Sequence, residues 1–238
     1  MVRARILIVS RLNNSARATL VCYVTDRRSL AGIGAAETRA TMLEKIETAA
    51  AAGVDWIQIR EKDFSGKACA ALTREALRRA AKASENKVVP TRILVNDRLD
   101  VALAENAGGV HLGEKSLPVQ EAKRLVDAPR SGKDFLIGVS CHSPDAAKSA
   151  AENGADYLFF GPVFATPSKA AYGAPQGIER LAEVCRSVSI PVLAIGGVTL
   201  ENASSCLDAG ASGIAAIRLF QDAEDISALV ASLRKMAG

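Results

Sequence analysis

The stretch WIQIREKDFSGK, residues 56–67, puts an amide, a guanidinium and an ammonium on alternate positions: Gln58, Arg60 and Lys62. Side chains along a strand repeat every second residue, so these three share one face while Ile57, Ile59 and Glu61 share the other. Two readings follow. Turned to water, the row is a solvated edge; turned inward, Arg60 cannot shed its charge and needs an anion. Asn96 and Asp97, at the end of RILVN (92–96), and Lys169, in ATPSK, could serve the same anion. A guanidinium fork matches two phosphate oxygens, and a lysine adds point charge. Asp97, an acid among cations, suits Mg²⁺, which is commonly held by one or two carboxylates plus substrate phosphates. The plainer alternative has Asp97 pair with Arg98 or cap the helix DRLDVALAENA.

A second anion cradle is written in AIGGVTLENA, where an apolar run meets Gly196 and Gly197 and a helix is predicted to begin near Thr199. Paired glycines let backbone amides approach an oxyanion, and a helix N-terminus adds its dipole. A tight turn is the bland alternative. The amides of Ile217 and Arg218, after SGIAAI, would complete this cradle. Two anion sites imply two phosphorylated reactants, or one long one. His111 ends an apolar run and reads equally as a core residue or a site residue. Cys141 and His142 are adjacent in a strand and point to opposite faces, so they do not form a nucleophile pair. Two histidines and no ligand cluster argue against zinc. Trp56 reads as packing.

These residues need a scaffold, and its elements recur. Eight short β-rich runs, 20–25, 54–60, 92–96, 109–113, 135–140, 156–161, 191–196 and 212–217, alternate with segments of helical spacing such as Ile178, Leu181, Val184, Val188 and Ile226, Leu229, Val230, Leu233. Ser65, Ser143 before Pro144, and Thr199 suit helix starts. AAGVDWIQI, NAGGVHLG, NGADYLFFG and DAGASGIAAI each stop a helix at Ala or Asn and Gly and enter a strand soon after. The pattern predicts an α/β chain folded as a single (β/α)₈ barrel over 20–238, behind an N-terminal extension at 1–19. An open doubly wound sheet would need a Gly-rich turn after the first strand, which TDRRSL does not supply. Barrel sites gather at the carboxyl ends of the strands, where Thr25 and Asp26, Gln58, Arg60 and Lys62, Asn96 and Asp97, His111, Ser140 and His142 and the paired glycines would stand.

Composition narrows the partners. The net charge of +4 is spread among acids and aromatics are 4% of residues, so neither nucleic acid nor a membrane surface is indicated. Five cysteines without a CxxC pair suit a reduced, cytoplasmic setting. Small phosphorylated molecules are the expected partners, and self-association is left open.

IQIREKD, LVNDRLDVAL, GGVHLG, IGVSCHS, GADYLFFGPVFATPSK and PVLAIGGVTLENA, in this order from about residue 20 to 220, resemble the thiamine phosphate synthase and TenI-like family. The resemblance implies a (β/α)₈ barrel and, in the synthase branch, the joining of hydroxymethylpyrimidine diphosphate to thiazole phosphate with release of diphosphate, dependent on Mg²⁺. It implies that Gln58 and Ser140 contact the pyrimidine, that Arg60, Lys62, Asn96 and Lys169 hold the diphosphate, and that Asp97 binds Mg²⁺. Thr166 and Ser168 would touch the thiazole side, with its phosphate on Gly196, Gly197 and the amides near Ile217 and Arg218. Two positions depart from the synthase pattern. Ser116 stands where a second Mg²⁺-binding Asp is usual, with Glu114 or water as substitutes, and Arg218 stands where a phosphate-binding Ser is usual. The alternative branch, thiazole tautomerases acting on carboxythiazole phosphate, would use a His at the position of His142 as acid or base. A barrel that only binds a phosphorylated ligand is the non-catalytic alternative.

Overall fold

The computed structural model describes residues 19–30, 34–126, 134–166 and 174–236. Eight strands, β1 (Leu20–Val24), β2 (Trp56–Ile59), β3 (Arg92–Asn96), β4 (Gly109–Leu112), β5 (Leu136–Cys141), β6 (Tyr157–Phe160), β7 (Val192–Ile195) and β8 (Gly213–Ala216), close into a barrel in chain order. Every neighbouring pair is parallel, including the closing pair β1–β8. Each strand lies within one or two residues of its predicted run, because strands covered on both faces read as nearly continuous apolar segments. The helices among the described residues are α1 (Ala35–Ala52), α2 (Gly66–Ala83), α3 (Leu99–Ala104), α4 (Val119–Val126), α5 (Pro144–Glu152), α6 (Gly177–Ser187), α7 (Ala203–Asp208), α8 (Arg218–Gln221) and α9 (Ile226–Lys235), with a 3₁₀ turn at Arg27–Leu30. Most of the predicted extension, residues 1–18, lies outside the described residues.

Alternate strand positions separate two cores. Leu20, Cys22, Trp56, Leu94, Tyr157 and Phe159 fill the barrel, while Val21, Ile57, Ile59, Leu158 and Ile214 pack outward on the helices. The two helical faces predicted from spacing are used. Leu181 and Val184 of α6, and Ile226, Leu229, Val230 and Leu233 of α9, are all buried. Val188 falls just past the end of α6. Truncating one such leucine to alanine costs about 2–5 kcal/mol.

Helix boundaries follow the local chemistry. The Ser65 hydroxyl accepts from Ala68 N at 3.3 Å and the Ser143 hydroxyl from Ala146 N at 3.2 Å, and Pro144 opens α5. Asp225, which the sequence reading passed over, caps α9 by accepting from Ala228 N at 2.9 Å. The repeated helix stop has one backbone cause: Gly53, Gly154 and Gly210 take φ of 87°, 93° and 98°. In the second copy, NAGGVHLG, Asn106, at φ 53°, fills that role instead of a glycine. The helix expected near Thr199 starts instead at Ala203 and has six residues. Thr199 N donates to Asn202 Oδ1, so an irregular turn rather than a helix follows the paired glycines.

Candidate active site

The carboxyl ends of β1 and β2 are tied together by TDRR and REKD. Thr25 Oγ1 accepts from Arg60 N at 3.0 Å and donates to Glu61 Oε1 at 2.8 Å. Asp26 Oδ2 meets Arg60 Nη1 at 3.3 Å, while its Oδ1 accepts from Arg28 N at 3.1 Å. Arg27 binds Glu61 and Asp63 and lies over the Phe64 ring at 4.5 Å. Burial raises the pKa of Glu61, opposed by the hydrogen bonds from Thr25 and Arg27. Asp63, at the surface, is held well below the usual carboxylate range by Arg27.

The row Gln58, Arg60, Lys62 therefore divides by depth. Gln58 is buried inside the barrel, Arg60 is half-buried at the mouth, and Lys62 is exposed beyond the strand end. Neither simple reading of the row holds throughout, because the strand ends at Ile59 and the chain turns outward after Arg60. Asp26 already supplies Arg60 with an anion. Glu61, on the outward face, is buried through its contacts with the β1 end rather than solvated.

From Gln58 a line of hydrogen bonds crosses to β3 and β4. Gln58 Nε2 donates to Asn96 Oδ1 at 2.8 Å, and Asn96 Nδ2 donates to Asp97 Oδ2 at 2.8 Å. Asp97 Oδ1 accepts from Gly113 N at 3.1 Å and from the Ser116 hydroxyl. Gln58 Oε1 is buried and has no hydrogen-bond partner among the described residues. The plainer alternatives for Asp97 do not hold: Arg98 pairs with Asp100, and α3 has no side-chain cap. Asp97 sits at φ 59°, a left-handed backbone that turns its carboxylate back toward the β4 loop. Glu114 is exposed.

Register explains the next group. His111 on β4 pairs with Gly138 on β5, and Gly138 pairs with Tyr157 on β6. A Cβ at Gly138 would lie 1.9 Å from Tyr157 Cζ, so the missing side chain is the gap through which the phenol crosses to His111. His111 Nδ1 and Tyr157 OH are 3.0 Å apart, and His111 Nε2 and Ser140 Oγ are 2.9 Å apart. Tyr157 lies against Trp56 with ring centroids 4.6 Å apart. Burial pushes His111 down to about 3 and holds the Tyr157 phenol well above its usual value. His111 is thus a buried residue and a neighbour of Ser140, an expected site residue, at once. His142 is partly exposed, and its Nδ1 donates to the Gly161 carbonyl.

On the far side, Gly196 and Gly197 have φ of 92° and 68°. A Cβ on Gly197 would come within 2.5 Å of Ala165 O, and one on Gly196 within 2.6 Å of Pro162 Cα. The glycines let the loop after β6 pack on the loop after β7, which brings Thr166 near this rim. The helix after them is short and begins at Ala203, so the dipole expected at this cradle does not stand at the glycines. Ile217 is half-buried and leads into α8, and Arg218 is exposed. Ser168 and Lys169 lie outside the described residues. Around the ring, β2 and β7 are separated by β8 and β1, so the two polar groups stand on well-separated parts of one rim.

Tyr157, Gly138 and the pairing of Asp26 and Arg27 with REKD are not anticipated by the sequence, although Thr25 and Asp26 stand among the expected strand ends. TDRR followed by REKD offered a signal of charge complementarity, whereas the crossing of Tyr157 over Gly138 depends on register alone. Among the described residues no three His, Cys, Asp or Glu side chains form a metal-binding group. No helix among them is long and apolar enough to cross a membrane. All five cysteines are free thiols.

A family model described as thiamine monophosphate synthase matches residues 23–220. A thiamine-phosphate synthase of Methanocella arvoryzae is 42% identical over 191 residues, covering 80% of this chain and 85% of its own length. One of Roseiflexus castenholzii is 38% identical over 218 residues, covering 92% and 88%. The structure of thiamine phosphate pyrophosphorylase from Pyrococcus furiosus superposes with a TM-score of 0.75 at 33% identity, covering 93% of this chain and 96% of that one.

Proposed function

This chain belongs to the thiamine monophosphate synthase family, and from that membership we propose that its barrel mouth joins hydroxymethylpyrimidine diphosphate to a thiazole phosphate and releases diphosphate. One observation carries the reading: the order of groups from β2 through the residues just past its end. Gln58 is buried with Oε1 unpartnered among the described residues, Arg60 follows at the mouth, and Lys62 stands in solvent. Two strand residues span about 7 Å. That spacing suits a heteroaromatic ring held inside and a diphosphate chain running outward past two cations. The synthase names of the relatives weigh for this transferase over the tautomerase alternative.

In this reading Gln58 and Ser140 hold the pyrimidine edge, and Arg60, Lys62, Asn96 and Lys169 bind the diphosphate. The bond from the pyrimidine methylene carbon to the diphosphate oxygen breaks first. Its electron pair leaves with diphosphate, and the thiazole nitrogen then donates a pair to the resulting cation. Arg60 and Lys62 stabilise charge as it develops on the leaving group, and the rigid β-strand platform orients the two reactants. Thr166, Ser168, Gly196, Gly197 and the amides near Ile217 and Arg218 receive the thiazole phosphate. His142 lines the same mouth. A cytoplasmic, reducing setting suits the free thiols.

The donor set allows one carboxylate contact to Mg²⁺. Asp97 Oδ1 already accepts two hydrogen bonds and Oδ2 accepts one, which leaves a single lone-pair position on Oδ2. Asp97 would therefore hold the ion together with substrate phosphates and water, as Mg²⁺ commonly is held. Bound there, it would supply charge neutralisation for the departing diphosphate. The test mixes purified protein with both precursors and Mg²⁺ and follows diphosphate and thiamine phosphate. Absence of both products, with proton exchange on carboxythiazole phosphate, would replace the transferase by the isomerase.

A further inference from the structure

We infer that Tyr157 and His111 form a one-way hydrogen-bond relay that fixes Ser140 as a donor to the bound ring, so that the site selects a ring presenting an unprotonated nitrogen beside an amino group. The inference deepens the ring-binding reading of Gln58 and Ser140 and rests on it.

The direction follows from counting protons. Tyr157 is fully buried, and among the described residues its hydroxyl has one hydrogen-bond partner, His111 Nδ1 at 3.0 Å. A buried hydroxyl left without an acceptor is costly. The phenol stays protonated, so its O–H donates and Nδ1 accepts. The buried ring meets only the Tyr157 and Ser140 hydroxyls at its nitrogens among the described residues, with no carboxylate there to favour a cation, so with Nδ1 accepting its one proton sits on Nε2. Nε2–H then donates to Ser140 Oγ at 2.9 Å. The serine hydrogen cannot point back at Nε2–H and is left for another acceptor. Ser140 is partly exposed at the end of β5, so that acceptor lies in the mouth. The opposite direction would put a proton on Nδ1 and leave the phenol hydrogen facing it with nothing to bind.

Gln58 provides the complementary half. Its Nε2 donates to Asn96, and its Oε1 is buried without a partner among the described residues. The interior thus offers the free acceptor Gln58 Oε1 and the Ser140 hydrogen, with the second Nε2 hydrogen of Gln58 as a further donor. An aminopyrimidine edge, with its amino group and adjacent ring nitrogen, satisfies both. A pyrimidinone, whose ring nitrogen carries hydrogen, would offer the Ser140 hydrogen no acceptor at that position. Gly138 belongs to the device, since any side chain there would occupy the path of the phenol. Tyr157 and His111 are positioning residues: they act through Ser140.

The first test is ¹⁵N NMR of the free wild-type protein at pH 7. The expected spectrum has His111 protonated on Nε2 and bare on Nδ1; a proton on Nδ1 would overturn the relay. The second measures binding of hydroxymethylpyrimidine diphosphate and of inorganic diphosphate to wild type, Tyr157→Phe and Ser140→Ala. Each variant should bind the pyrimidine diphosphate about tenfold more weakly and inorganic diphosphate within twofold of wild type. Equal weakening of both ligands would reduce Tyr157 to a packing residue and refute its role. Should wild type bind no pyrimidine diphosphate while the Nε2–H tautomer is present, the ring-binding reading fails and the relay's direction stands.

Discussion

Replacing Ser116 by aspartate tests how much of a metal site Asp97 can form alone. The Ser116 hydroxyl donates to Asp97 Oδ1, so Ser116→Asp exchanges a hydrogen-bond donor for a second negative charge. The lost bond costs about 1 kcal/mol. Two carboxylates about 4 Å apart repel by about 4 kcal/mol at an effective dielectric of 20, and exposure of Asp97 reduces this to about 1–2 kcal/mol. A total of about 2–3 kcal/mol lowers Tm by about 4–12 °C in a chain of this size. A divalent cation reverses the sign, because two carboxylates then share it. At a hundred times its Kd it restores about 2.7 kcal/mol, enough to recover the loss. Thermal unfolding with and without MgCl₂, and Mn²⁺ binding by electron paramagnetic resonance, read both effects. Wild type should show little Mg²⁺ stabilisation until inorganic diphosphate is added, whereas Ser116→Asp should show it without. Saturable Mn²⁺ binding by wild type alone, as tight as by the variant, would refute the view that the oxygens of Asp97 are already engaged.

Lys62→Ala should leave Tm unchanged within experimental scatter, since the residue is exposed, yet lower kcat/KM for diphosphate release by about 10–150-fold, the value of one charge-assisted hydrogen bond. Full activity of that variant would remove Lys62 from the leaving-group site. The depressed His111 pKa makes stability pH-dependent with a definite sign: the unfolded chain takes up the proton first, so the contribution is complete above about pH 6.5 and is lost as pH falls towards about 3. Urea unfolding should lose about 0.7 kcal/mol more in wild type than in His111→Asn between pH 7 and 6, and about 1.2 kcal/mol more between pH 6 and 5; parallel slopes would contradict a buried neutral imidazole. Gly197→Ala places a Cβ 2.5 Å from Ala165 O at φ 68° and should cost about 1–3 kcal/mol while raising KM for the thiazole phosphate; unaltered stability would mean that the two loops are not packed as described.

The periodic features were legible in the residues themselves. Apolar runs at strand spacing, Ser65 and Ser143 at helix starts, and the recurring helix stop fixed eight strands to within a residue or two, because each depends on local backbone preference and burial. Gln58, Arg60 and Lys62 were visible as a row for the same reason, since alternation is a property of the strand. What the row does was not visible, because depth along the barrel axis depends on where β2 ends and on Asp26, thirty-odd residues away in the chain, meeting Arg60. Asp97 likewise read as a free metal ligand until Gly113 and Ser116 took up one of its oxygens. The start of α7 was misplaced because Asn202 folds back on Thr199 N and Gly197 O, a local competition between side chain and helix. The relay lies furthest from the sequence: Gly138 looks like any strand glycine, and only the register of three parallel strands sets it between His111 and Tyr157. Periodicity belongs to one segment at a time, whereas partners, depth and proton direction arise when separate strands are brought side by side in a closed ring.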